Sequence, residues 1–123
     1  MEFIQPYFES FGLPFCAVLV FVALDVVFGF AGAVINKEVS SQKMREGVGH
    51  KLGIVGAIVL AMIVETACDY VNLGIDVPVV GATAAYLVLM EAWSVCENLV
   101  KMNPELSGLP IFSLIKKAVD SNE

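Results

Sequence analysis

Three carboxylates lie inside stretches of chain that are otherwise apolar: Asp25, Glu65 and Glu91. A charged side chain at the centre of a membrane helix costs roughly 2.5–3.5 kcal/mol on insertion scales, so each of these acids calls for a use. Three uses are open. The acids can be protonated and hydrogen-bond between helices, they can line water in an assembled state, or they can pass protons or cations through a coupled transporter. Counting along the apolar stretches puts Asp25 near mid-bilayer, Glu65 in the outer third and Glu91 in the inner third. That dispersal predicts that one protomer does not easily gather them into a single site. In a symmetric oligomer each would form a ring at its own depth, or pair with a polar group on a neighbour.

The remaining reactive residue types form no constellation. His50 is the single histidine, beside Lys51, and reads as a polar interfacial side chain. Cys16, Cys68 and Cys96 fall one in each apolar block; the count is odd and no spacing matches a metal site, so they read as small apolar residues. A disulfide between Cys16 and Cys68, placed towards the same face, stays open. Ser10, Ser40, Ser41 and Ser94 with one histidine give no nucleophile-and-base motif, and no zinc, phosphate-loop or flavin signature occurs. The expectation is no catalytic residue, no metal, no cofactor and no enzyme.

The elements that carry the acids follow from composition. Of 123 residues 58% are hydrophobic and 16% charged, with a formal net charge of −6; mean hydropathy is +0.79. Soluble domains are nearer half apolar and a quarter charged. An acidic chain of this kind has no nucleic-acid footprint. The apolar residues form three blocks, Leu13–Ile35, Leu52–Cys68 and Val77–Val95 with its continuation to Val100. Each is near spanning length and none alternates with the period of a barrel strand, which leaves helices as the form that satisfies the backbone in lipid. The sequence therefore predicts a single all-α domain over residues 1–123: an integral membrane protein with three transmembrane helices, at about 12–35, 49–71 and 77–99. The first ten residues carry two acids and no Lys or Arg, so the first block is expected to be a span and not a cleaved signal peptide. Phe3, Tyr7 and Phe8 read as an interfacial lead.

The second span carries a ridge. Gly49, Gly53, Ala57 and Ala61 recur every four residues, and Glu65 and Asp69 continue the row. Glycine costs about 1 kcal/mol relative to alanine in a helix and brings nothing against lipid, so the ridge predicts close approach of another helix. In the first span Asp25 shares a similar row with Gly29 and Ala33. Ser40 or Ser41 is placed to cap the helix entering span two; Asp76, with Pro78 behind it, is placed to cap span three.

All seven basic residues fall in the first loop (Lys37, Lys43, Arg45, Lys51) or after span three (Lys101, Lys116, Lys117). The positive-inside rule then predicts an outside N-terminus and a cytoplasmic C-terminus, with Trp93 as an aromatic anchor near the inner interface. The tail, about 109–120, puts Ile111, Leu114, Ile115, Ala118 and Val119 on one face, which predicts a short amphipathic helix on the membrane surface. Lys116 and Lys117 suit anionic cytoplasmic lipid.

The chain also resembles the toxin secretion/phage lysis holins. The resemblance rests on Asp25, on Ser40–Ser41–x–Lys43–x–x–Glu46–Gly47–x–x–x–Lys51–Leu52, and on an acid in the second span. It continues through Glu91–Ala92–x–Ser94–x–x–Glu97–Asn98–Leu99 and Leu109–Pro110, covering about Asp25 to Val119. Met90, where the family often has a polar residue, and the MNPELSG joint before the tail depart from the pattern. The resemblance implies a protein that self-associates in the bacterial cytoplasmic membrane and permeabilises it. An endolysin (a muralytic enzyme) then causes host cell lysis, or a large toxin is released. Its partners would be its own copies, the lipid bilayer, and functionally the released enzyme or toxin, with an antiholin as a further candidate. The small-residue rows would drive oligomerisation, and Asp25, Glu65 and Glu91 would turn towards a water-filled lumen. The rival readings are a small ion channel or transporter subunit and an antiholin-like regulator.

Overall fold

In the computed structural model the described residues are 2 and 5–122, without the side chain of Phe8. The interfacial role expected of Phe3 and Phe8 lies outside them. Among the described residues four α-helices make up the fold: α1 (Gln5–Ile35), α2 (Ser41–Cys68), α3 (Val79–Met102) and α4 (Pro110–Ser121), with a 3₁₀ turn at Pro104–Gly108. No strand occurs among the described residues. The first three are long and apolar enough to cross a membrane. At 1.5 Å per residue they measure about 46, 42 and 36 Å, against a hydrocarbon core of roughly 30 Å.

Two helices start earlier than the apolar blocks suggest. The first begins seven residues before the expected 12 and carries Pro14 in its interior, a position that costs about 3 kcal/mol in helix propensity. Packing outweighs this: Phe11 is buried, and Tyr7 donates a hydrogen bond of 2.9 Å to Asp69 at the far end of α2. Helix α2 begins at Ser41 and not near 49, because the polar residues there carry a helix start signal. The Ser40 hydroxyl accepts from the Lys43 backbone N–H, as a capping residue does. The preceding turn closes with Lys37 in the left-handed region (φ 57°) and bonds from Glu38 N–H to the Ala33 carbonyl and from Lys37 N–H to that of Val34. That is a Schellman ending, made without glycine.

Helices α1 and α3 run side by side in the same direction. Phe11, Val18 and Asp25 form the α1 seam at seven-residue spacing, the repeat that keeps one face on a partner helix. Gly32 extends it against Met102. Helix α2 runs antiparallel and contributes Ile54, Ile58 and Ala61 to a core completed by Val80, Ala84 and Leu87 of α3. Large apolar side chains such as Val27, Leu52, Leu60 and Ile63 face outward. In lipid such residues lose nothing by exposure, and packing between helices sets the contacts.

At the α2–α3 turn, Asn72 accepts from the Gly74 N–H, and Gly74 takes the positive φ (71°) the turn needs. The expected Asp76 cap does not form. Pro78 is the N-cap and has no side-chain cap bond; the Glu65 carboxylate reaches across from α2 to accept from the Val80 N–H at 3.0 Å. An acid at a helix N-terminus also meets the positive end of the helix dipole.

The joint before the tail is ordered. Asn103 accepts from Glu105 N–H at the start of the 3₁₀ turn, and Pro110 opens α4 at a position that needs no N–H. Helix α4 folds back on α3 through Phe112, which sequence reading left out of the apolar face, while Ile111 and Leu114 stay exposed. Phe112 and Lys116 line a cleft with Trp93 and Cys96. The side chain expected to anchor an interface thus helps seat the tail.

Candidate functional site

The polar groups of the three long helices meet at one level. Asp25 lies ten residues before the end of α1, Lys51 ten residues after the start of α2, and Glu91 eleven before the end of α3. Each is therefore about 15 Å from the same end of the bundle, the end where the basic residues gather. The Lys51 ammonium donates to both Asp25 Oδ2 and Glu91 Oε2. Asn98, two helical turns beyond Glu91, donates to Asp25 Oδ1 at 2.7 Å. One cation and one amide tie α1, α2 and α3 together.

This corrects the expectation that Asp25 and Glu91 lie at different depths and cannot be gathered by one protomer. The depth count took Lys51 as a loop charge; once the helix starts at Ser41, Lys51 lies three turns inside α2, facing the other two helices. Lys43 and Arg45, expected in the loop, also lie on α2, exposed near its start. Asn98 entered the sequence reading only within a family motif. The signal that could have found it is its spacing of seven from Glu91, which puts both on one face of α3.

The cluster is largely buried. Asp25 is 9% exposed and Glu91 0%, while the Lys51 side chain retains 16%. Two buried carboxylates face one ammonium. Removing one partner of a buried pair leaves a charge uncompensated, at a cost of about 3–5 kcal/mol. Glu91 Oε1 has no hydrogen-bond partner among the described residues. His50 faces it, with Nε2 3.8 Å away and a side chain that is 57% exposed. On the α1–α2 side, a cleft of about 520 Å³ runs from Ser40 and Lys43 down to Asp25, Lys51 and Asn98.

Glu65 stands apart, near the opposite end, in its capping role. Gly29 lies against Asn98, where an added Cβ would sit 3.4 Å from the amide, and Ala33 lines the cleft. The row on α2 divides. Ala61 is buried and Ala57 packs against the core, whereas Gly49 and Gly53 face open space. Lys117 is exposed on α4. Cys16, Cys68 and Cys96 are free thiols.

Fold and site together define a class: a small membrane protein of three apolar helices pinned by one buried ionic cluster. Residues 2–121, nearly the whole chain, match the model of the bacteriophage holin family, and the chain belongs to that family. No curated protein and no solved structure matches it. Holins are a family that permeabilises membranes and not a family of enzymes.

Proposed function

We propose that this holin self-associates in the bacterial cytoplasmic membrane and opens it, so that an endolysin or a large toxin leaves the cell. The family match over residues 2–121 carries this reading. Two features of the chain support it. Gly49 and Gly53 offer a smooth outward face on α2, suited to the close approach of a second copy. The ionic cluster holds charge that costs energy in lipid and would be stable against water, so rearrangement of the three helices in an assembly gives it a place beside a lumen. The N-terminus lies outside and the C-terminus in the cytoplasm, by the bias of the basic residues.

One feature bears on the transporter rival. A coupled transporter gathers polar groups at one depth, and Asp25, Lys51 and Glu91 do share one. Lys51 already takes one oxygen of each carboxylate, however, so the two acids do not form an open pair for a substrate cation larger than a proton.

The test is inducible expression in a bacterium that holds a muralytic enzyme and a folded reporter in its cytoplasm. Membrane potential and reporter release are followed together. Abrupt collapse of the potential with release of the reporter is the expected result. Collapse without release would mean small pores and favour a channel. Self-association with neither effect would favour a regulator of the antiholin kind.

A further inference from the structure

The ionic cluster is one charge short of balance. Lys51 supplies one positive charge; Asp25 and Glu91 are two carboxylates; Asn98 is neutral. The shortfall has an address. Asp25 takes hydrogen bonds on both oxygens, from Lys51 and from Asn98, whereas Glu91 takes one on Oε2 and none on Oε1. Glu91 is also the more deeply enclosed of the two, with no exposed surface. A buried carboxylate oxygen without a donor loses its hydration and gains no hydrogen bond in return, which is unfavourable for a charged group. Lys51 is bonded to the other oxygen, and the imidazole of His50 lies 3.8 Å from Oε1, with 57% of its side chain exposed.

We infer that Glu91 and His50 form a binding site for one exchangeable proton, which closes α2 onto α3 at the level of Lys51. With the proton present, on the imidazole or on Oε1, a single N–H···O or O–H···N bridge joins His50 to Glu91 after a small rotation of the ring. The cluster is then neutral. Without it, Glu91 Oε1 stays unpartnered and the buried cluster carries a net negative charge. The proton enters through the exposed imidazole, and no other bond is made or broken.

The groups facing Glu91 are Asp25 from α1, His50 and Lys51 from α2, and Asn98 from α3 itself. Among the described residues Lys51 and His50 are the only cationic groups paired with these acids. Lys51 is the permanent cation of the pair, and His50 becomes the second only when it holds the proton. The inference goes beyond hole formation and does not depend on it, because the site lies within one protomer.

The experiment uses the full chain in phosphatidylcholine–phosphatidylglycerol vesicles. Trp93, the single tryptophan, sits two residues from Glu91 on α3 and serves as the reporter. Its emission is followed from about pH 5 to pH 8, the window in which histidine switches. The wild-type emission should move in one transition with the steepness of a single proton. Glu91→Gln, which keeps the shape and removes the charge, should abolish it. His50→Gln should abolish the transition or move it by at least about one pH unit, a tenfold change in proton affinity. Glu65→Gln, at the other end of the bundle, should leave it in place.

A flat wild-type profile overturns the inference. So does a transition that survives in Glu91→Gln, or one that moves by less in His50→Gln. Because His50 is exposed, its variant can be judged even if Glu91→Gln fails to insert. Vesicle leakage is not the readout, so a protein that never forms holes can still pass or fail this test.

Discussion

Two pairs of glycines look alike in the sequence and are used in opposite ways. Gly29 and Gly32 of α1 face α3, where an added Cβ would meet Asn98 at 3.4 Å and Met102 at 3.5 Å. Gly49 and Gly53 of α2 meet nothing within 4 Å. The first pair lets α1 come close enough for Asp25 and Asn98 to bond at 2.7 Å. The second pair leaves a smooth face that no described residue covers. Small residues in membrane helices mark close approach, but the pattern does not say whether the approaching backbone belongs to the same molecule.

The ionic cluster ties all three long helices together, so the largest effect is expected from breaking it. Lys51→Met leaves two buried carboxylates without a cation, and we expect a loss of about 3–5 kcal/mol. Unfolding of the purified chain in mixed detergent micelles measures it, and a change below about 1 kcal/mol would mean the cluster contributes little. Gly29→Leu comes next. Overpacking of a close helix contact costs about 1–3 kcal/mol, and in the same assay this variant should lose stability where Gly53→Leu does not.

The converse separates the pairs further. Gly53→Leu should not lower helix content or monomer stability, yet should weaken crosslinked oligomer ladders and delay lysis. Unchanged ladders and timing would remove the α2 face from the assembly. Glu65→Ala, which removes the acceptor at the start of α3, should cost about 0.5–2 kcal/mol, the range for losing a helix cap. Amide exchange at Val80 should rise with it. The smallest effect is expected from Gly53→Ala. It adds one methyl group in open space and should raise helix stability by at most about 1 kcal/mol.

Much of this architecture was legible before any coordinates. The three apolar blocks, the Ser40 cap and the opening of the tail at Pro110 all follow from local chemistry: hydropathy over spanning length, a hydroxyl before a helix, and a proline where no N–H is needed. The site was only half legible. Asp25 and Glu91 stood out because acids are costly in lipid, yet depth counting from block edges separated them. Lys51 was hidden by its neighbours: among Lys43, Arg45, Glu46 and His50 it reads as one more loop charge. Asn98 was hidden by its neutrality. The Asp76 cap shows the same limit in reverse. A well-placed local acid lost to Glu65, fifteen residues from the N–H it satisfies.

The sequence by itself determined that the chain is helical, that three stretches suit a bilayer, and which acids have to be accounted for. These depend on what each stretch is made of, and the period and length of a helix are local properties. The tertiary structure alone decided that one lysine serves two carboxylates, that Glu91 keeps an oxygen unpartnered beside His50, and which glycines are covered. Those depend on where α2 begins and how the three helices are rotated against one another. A shift of one residue turns a side chain by about 100° around its helix, and spacing along a single helix does not specify its rotation against the others.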